Sequence, residues 1–467
     1  MNFGEIRFWL LLLTGLGVIA SLRWLLGRTR SGLPPSFDRL ALCALGMFLL
    51  CCVSWLTFAI FMVVGFCSYY GMKWILATHT KGHSYYLFIL IPLLLLPLFY
   101  YKYSNFVVNG VLGLRVDYFR DLALPVGISF YTFQKISFVV DTLAFEHPLP
   151  TLLDYLNFAS FFPMVVAGPI ERRADLYPQV KEFKFRWNPA WLDEGAPWIV
   201  AGLFFKLCLA DNLAEFVNRQ STTNAWAIWA ANFLFGLRIY YDFAGYSLVA
   251  VGLGRCIGIR LTLNFLSPYC SRSIVEFWRR WHITLSQWFR DYVYIPLGGG
   301  RTRRWAFNIM VVFVLSGIWH GAGWNFAIWG TVHGSYLIIN RLFSKKYTLP
   351  TFAAWLLTFL AAMWAWLGFY EVRSDALLAK MKASITPSAY SLAYLRAVPE
   401  QWSPSGRLTL MFFLVLTAVV LLLEWRSVRR RNEPFYYLRQ PWVMYLLVLL
   451  TLLLSPGINN AFIYFAF

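Results

Sequence analysis

"SGIWHGAGWNFAIWGTVHG", residues 316 to 334, sets two histidines, three tryptophans and five glycines into sequence otherwise apolar enough for a lipid bilayer. How this stretch bends decides the fold. Apolar residues extend from it in both directions, Gly321 and Gly323 permit a turn, and basic runs follow at each far end, "RTRR" at 301 to 304 and "RLFSKK" at 341 to 346. Cytoplasmic loops of membrane proteins carry an excess of Lys and Arg. The stretch therefore reads as the outer bend of a helical hairpin whose two ends return to the cytoplasm.

The rest of the chain is built from the same material. Of 467 residues, 59% are hydrophobic and 13% charged, with a mean hydropathy of +0.56; a soluble domain carries roughly 25% charge. Apolar runs of about 20 residues, enough to cross roughly 30 Å of hydrocarbon as helix, recur along the sequence. Barrel strands would instead be alternating segments of about ten. The expected fold is an all-α polytopic membrane protein of about 10 to 12 crossings. Candidate spans are 8 to 26, one or two within 40 to 76, 85 to 101, 122 to 144, 153 to 170, 195 to 217, 226 to 253, 305 to 323, 326 to 340, 351 to 370, 408 to 424 and 441 to 463. A single membrane-embedded domain over 1 to 467 is the simplest division, since no internal repeat or linker is visible.

Charge sets the orientation. Arg23, Arg28, Arg30 and Arg39 follow the first span, which places the N-terminus outside and the polar region 371 to 407 on the outer face. The net charge of +19 is concentrated in short connections, so it is read as loop charge and not as a nucleic-acid surface. The first span is too long and too weakly charged in front for a signal peptide. Seven cysteines, an odd number, show neither a disulfide framework nor zinc-ribbon spacing.

Three readings compete for His320 and His333. On one continuous helix their thirteen-residue separation amounts to about 1300° of rotation and about 20 Å of rise, too far to grip one ion. No Asp, Glu or Cys stands near to complete a site, so no metal is expected. An ionisable group inside a membrane is costly and marks function by default, and imidazole suits proton transfer. His320, with glycines beside it and Asn325 as a polar neighbour, is the candidate base. His333 stays open between a supporting role and a plain hydrogen bond across the hairpin. His79, His83 and His147 fall in or beside connecting loops and read as structural.

Segment 271 to 300 carries Arg272, Glu276, Arg279, Arg280, His282, Arg290 and Asp291 among aromatic residues, too many charges for a simple span. An interfacial or re-entrant helix is expected, with Trp278, His282 and Ser286 on one face. His282 reads more readily as an anchoring residue, and the arginines equally as anchors or as phosphate contacts. In "YYDFAGYS", Tyr241 and Asp242 bring polar groups into an apolar run; Asp242 needs a partner, and Arg280 is the candidate. The glycines of "VGLGRCIG" match neither a dinucleotide fingerprint nor a P-loop, so close helix packing explains them. "LPVGISFYTFQ" (124 to 134) and "FFPMVVAGPIERR" (161 to 173) place Pro and Gly where backbone lines a cavity or merely kinks.

In order, "LPVGISFYTFQKISFVVD", "FFPMVVAGPIERR", "YYDFAGYSLVAVGLGRCIGIRLTLNFLSPY", "SRSIVEFWRRWHITLSQWFRDYVYIPLGG" and the opening stretch resemble the membrane-bound O-acyltransferase superfamily, in its bacterial polysaccharide-acetylation branch. The resemblance covers residues 85 to 345. It implies a ring of helices, some re-entrant or interfacial, around a thin central tunnel. It also implies an acyl thioester donor from the cytoplasm, acetyl-CoA or an acyl carrier, as substrate with no bound cofactor. The essential histidine of its Trp-His-Gly motif falls on His320, and the second His-Gly histidine falls on His333. Asn325 or a backbone amide of the tunnel is the expected oxyanion donor; Arg279, Arg280, His282, Arg290, Asp242 and Tyr241 are candidates for the donor path.

The implied activity is O-acetylation of an exopolysaccharide such as alginate or cellulose. It would run through a periplasmic esterase-like partner and a polysaccharide synthesis complex at the bacterial inner membrane, with direct transfer to the sugar as the alternative. The teichoic-acid D-alanylation branch is expected to carry a further histidine within about 352 to 370, where "FAAWLLTFLAAMWAWLGFY" has none. A second departure, "VDTLAFEHPLP", touches the loop after Asp141. A transporter or export subunit is the rival reading from another class, because broken helices occur there too.

Overall fold

The computed structural model describes residues 2–28, 33–79, 82–114, 116–120, 122–218, 224–344, 346–457, 460, 462 and 463. Arg30 and Lys345, two of the charges used for orientation, lie outside the described residues. Every regular element among the described residues is helical. Among the described residues five helices are long and apolar enough to cross a membrane: Ile6–Gly27, Trp55–Thr78, His83–Tyr103, Thr351–Tyr370 and Pro404–Arg431. Trp305–His320 and Pro441–Leu454 are apolar but shorter. The protein is a polytopic helical membrane protein.

The chain forms two compact units, Met1–Ile199 with Ser247–Thr262 and Val200–Tyr246 with Leu263–Phe467. In the first, the predicted span 153 to 170 is corrected. A helix runs only over Leu152–Ala159, and residues 161 to 171 continue as buried irregular chain. Pro163 and Pro169 withhold amide donors there, and Gly168 lies against the Met164 backbone, 2.3 Å from where a Cβ would stand. Glu171 stabilises the far end by accepting from the Thr262 amide at 2.6 Å and the Thr262 hydroxyl at 3.1 Å. Gly127, at φ 74°, permits a close approach to Val166, whose carbonyl oxygen would sit 2.6 Å from a Cβ. Both quoted Pro/Gly breaks thus serve packing.

The second unit holds the histidines. Its segment 271 to 300 is not one interfacial helix but two short ones, Ile274–Arg280 and Ile283–Phe289, followed by a π-helical turn over Arg290–Tyr294. Ser273 caps the first by accepting from the Glu276 amide at 3.1 Å, and the Glu276 carboxylate accepts from the Arg272 amide at 2.8 Å. Between the two helices His282 sits in the left-handed region, φ 41° and ψ 55°. Asn264 over-determines that strained position: its carbonyl accepts from the Ile283 amide, and its side-chain oxygen accepts from the Thr284 amide and hydroxyl. The break rotates His282 off the helix, so Trp278, His282 and Ser286 do not line one continuous helical face.

Candidate active site

The opening stretch is the predicted hairpin, with helices Trp305–His320 and Trp324–Phe343 joined by residues 321 to 323. Gly317 and Gly330 make the close approach possible. A Cβ at Gly317 would stand 2.1 Å from the Phe326 carbonyl oxygen, and one at Gly330 would stand 2.2 Å from that of Phe313. His320 ends the first helix; Asn325, Trp329 and His333 fall four residues apart on the buried face of the second. All four are buried.

Trp329 stands between the two histidines, its ring centroid 5.3 Å from that of His320 and 4.7 Å from that of His333. Trp319, at 4.9 Å, and Phe369, at 5.1 Å, wall His320 on other sides. His282 comes within 6.2 Å of His320, ring to ring. Three of the six histidines of the chain thus meet in one aromatic cage. The left-handed turn at 282, invisible as periodicity, is what brings the third one in. Within that cage His333 Nδ1 accepts from Trp278 Nε1 at 3.3 Å. Asn325 spends its amide on the Gly368 carbonyl at 2.8 Å, which pins Leu367–Tyr370 against the hairpin.

A cavity of about 610 Å³ adjoins this cage. Arg279, Arg290 and Arg341 line it with Ser286, Gln287 and Tyr294, and its wall continues along Ile309, Val312, Phe313 and Ser316 to Trp278. Those positions run up one face of the Trp305–His320 helix, with about 10 Å of rise from Ile309 to Ser316 at about 1.5 Å per residue. His320 lies one turn beyond Ser316. Arg279 makes no hydrogen bond or ion pair among the described residues, whereas Arg290 holds Asp291 and Arg341 donates to the Gly300 carbonyl. Arg341 belongs to the basic run that the charge pattern assigns to the cytoplasm, so its place in this wall was readable only as loop charge.

A family model for membrane-bound O-acyltransferases matches residues 46–372. The chain belongs to that family. It is 34% identical over 335 residues to a peptidoglycan O-acetyltransferase of Helicobacter pylori, covering 63% of this chain and 64% of the relative. It is 38% identical over 293 residues to a probable alginate O-acetylase of Azotobacter vinelandii, covering 59% of this chain and 58% of the relative. A teichoic acid D-alanyltransferase of Bacillus subtilis is 32% identical over 241 residues, covering 47% of this chain and 60% of the relative. The chain thus matches less than two thirds of the length of each of these relatives.

Three candidates of the donor path, Asp242, Arg280 and Tyr241, do not line the arginine-lined cavity. Asp242 does not pair with Arg280: its Oδ1 lies 2.8 Å from Lys206 Nζ, and its Oδ2 accepts from the Ile463 amide at 2.6 Å. Arg280 is taken by Glu276, at 3.0 Å, and by the Leu266 carbonyl. Lys206 lies on a π-helical segment, Phe204–Ala210, inside an apolar run, and its charge there was the overlooked signal for the partner of Asp242. Tyr241 is fully buried against Phe205, at 4.9 Å, and lines no part of the arginine cavity. Glu424 was likewise missed: it is buried in the Pro404–Arg431 helix and accepts from the Tyr240 hydroxyl at 3.0 Å.

Proposed function

We propose that this chain is an O-acetyltransferase, working as one membrane-embedded domain, that delivers an acetyl group from a cytoplasmic thioester to a glycan hydroxyl. The observation that carries the reading is the face of the Trp305–His320 helix that walls the arginine-lined cavity from Ile309 to Ser316 and reaches His320 one turn further on. Arginine suits the phosphates of acetyl-CoA or of a carrier-borne phosphopantetheine. Below the arginines an apolar wall suits the extended arm, and the imidazole lies where the thioester would arrive. The basic runs support a cytoplasmic arginine end, in keeping with a protein of the bacterial inner membrane.

His320 is the base. It takes the proton from the acceptor hydroxyl as that oxygen bonds to the thioester carbonyl carbon, and it returns the proton to the departing thiolate when the tetrahedral intermediate collapses. A positioned base is worth about 10² to 10⁴ in rate. His282, 6.2 Å away ring to ring, flanks that base from the left-handed turn. Asn325, tied to Gly368, positions the hairpin tip around it.

The names of the relatives favour a polysaccharide acceptor, alginate or peptidoglycan, with cellulose as the alternative. Transfer runs through a periplasmic esterase-like serine enzyme within the polysaccharide synthesis complex. D-alanyl transfer is the second reading, supported by the B. subtilis relative at 32% identity. Mass spectrometry of the cell's polymers separates the two: a deletion strain loses acetyl esters and keeps alanyl esters. His320→Ala abolishes acetylation while the protein stays in the membrane at its normal level; retained acetylation would overturn the assignment.

A further inference from the structure

The contact between Trp278 and His333 fixes more than a ring position. An indole nitrogen donates and cannot accept, so the Nδ1 that receives it at 3.3 Å presents a lone pair. An imidazolium has two N–H groups and no acceptor, so His333 is neutral with its proton on Nε2. That Nε2 is buried and has no hydrogen-bond partner among the described residues. Such a group is costly among apolar helices, where water offers no compensation.

The ring cannot turn easily to spend the proton elsewhere. Trp329 at 4.7 Å, Trp278 at 4.9 Å and Tyr336 at 5.8 Å meet it edge to face, and Phe277 lies parallel to it at 6.2 Å. Trp278 also forms part of the wall of the arginine-lined cavity. One indole thus touches both the space where a thioester arm would lie and the histidine with an unspent donor.

We propose that Trp278 is a positioning residue that holds His333 in its Nε2–H tautomer, so that His333 donates a hydrogen bond to the thioester carbonyl oxygen and never acts as a base. The inference rests on the acyl-transfer reading above and divides the labour between the histidines. As the acceptor oxygen bonds to the carbonyl carbon, the carbonyl π pair moves onto oxygen. His333 Nε2–H stabilises that oxyanion without transferring its proton. Collapse re-forms the carbonyl and expels the thiolate, which takes the proton held by His320.

Full-length protein in lipid nanodiscs, with acetyl-CoA as the donor probe, tests this in two independent ways. The first is chemical. His333→Ala removes the donor and lowers kcat by about 10² to 10³, the usual effect of losing one oxyanion contact. Glutamine can place an N–H near the ε position but cannot serve as a base, so His333→Gln recovers at least tenfold over His333→Ala; equal inactivity of both overturns the proposal. Trp278→Phe keeps an aromatic ring without the N–H, and it lowers kcat while leaving the KM for acetyl-CoA within twofold.

The second readout needs no turnover. In histidine-labelled protein, the ¹⁵N resonances of His333, assigned by their loss in His333→Ala, report Nε2–H in the wild type and a tautomer mixture in Trp278→Phe. A wild-type signal from Nδ1–H overturns the assignment. Should Trp278→Phe fail to fold, the wild-type shifts and His333→Gln still decide. A wild type that releases no thiol from acetyl-CoA or an acetyl-loaded carrier sinks the acyl-transfer reading and the carbonyl role with it; the nitrogen shifts then judge the tautomer alone.

Discussion

Two buried polar clusters in the second unit answer the same problem in opposite ways. At Lys206, Asp211 and Asp242 lie 2.8 Å from the ammonium and the Asn460 carbonyl accepts at 2.9 Å, so three acceptors meet its three donors. Around His320 and His333 the neighbours are mostly aromatic rings, and one N–H of His333 is left unspent. An ammonium whose donors are all spent holds chain segments together. A cluster with a donor in reserve is prepared for something that arrives later. Burial alone does not distinguish them; whether the ionisable donor is spent does.

That contrast is breakable. The largest effect is expected at His320: replacement by Ala costs about 10² to 10⁴ in acetyl transfer, read as thiol release, with the thermal midpoint in detergent nearly unchanged. Asp242→Ala should do the reverse. Leaving Lys206 short of one carboxylate costs about 3 to 5 kcal/mol, and the thermal midpoint falls accordingly. Converting the cluster together, Lys206→Met with Asp211→Asn and Asp242→Leu, restores most of it, since packed apolar residues substitute well for a buried ion group. If Asp242→Ala abolishes turnover with stability intact, the two clusters are not different in kind.

Gly330→Ala probes the frame on which the cage stands. The added methyl meets the Phe313 carbonyl oxygen at 2.2 Å, so the helices of the hairpin must separate, at about 1 to 3 kcal/mol. Stability and turnover fall together here, unlike at either cluster. The smallest effect is expected at the cavity wall. Arg279→Ala removes an otherwise uncommitted cation and raises the donor KM about tenfold with kcat unchanged, in line with the worth of one charge-assisted hydrogen bond. High salt applied to the wild type shifts KM in the same direction, because exposed charge is screened. A fall in kcat at constant KM would move Arg279 from binding to chemistry.

What was legible in the sequence was local. Glycines at 317, 321, 323 and 330 between two apolar runs announce a tight hairpin, and basic residues at its far ends orient it. Harder to see was any break made by tertiary contacts. Nothing at His282 signals a left-handed residue, because Asn264, eighteen positions earlier, imposes it. Helical spacing therefore put His282 on a face it does not occupy. The same limit explains Asp242: the sequence offered Arg280 as a partner, but the cation that packs against it is Lys206, on a segment read only as apolar. Lys135 is a parallel case in the first unit, buried with its ammonium 3.4 Å from the centre of the Phe61 ring, in a motif whose hydropathy hides it.

The aromatic cage has an optical consequence. Trp281 and Trp366 lie with ring centroids 4.7 Å apart and planes inclined at 51°. Indole transition dipoles this close and this skewed couple to each other, and coupled chromophores in a chiral arrangement give signed circular-dichroism bands. The pair joins the break before His282 to the end of the Thr351–Ala365 helix, so its signal reports whether those two pieces stay together. An unlabelled sample in detergent therefore carries its own spectroscopic gauge of whether the cage is assembled, readable before any substrate is known.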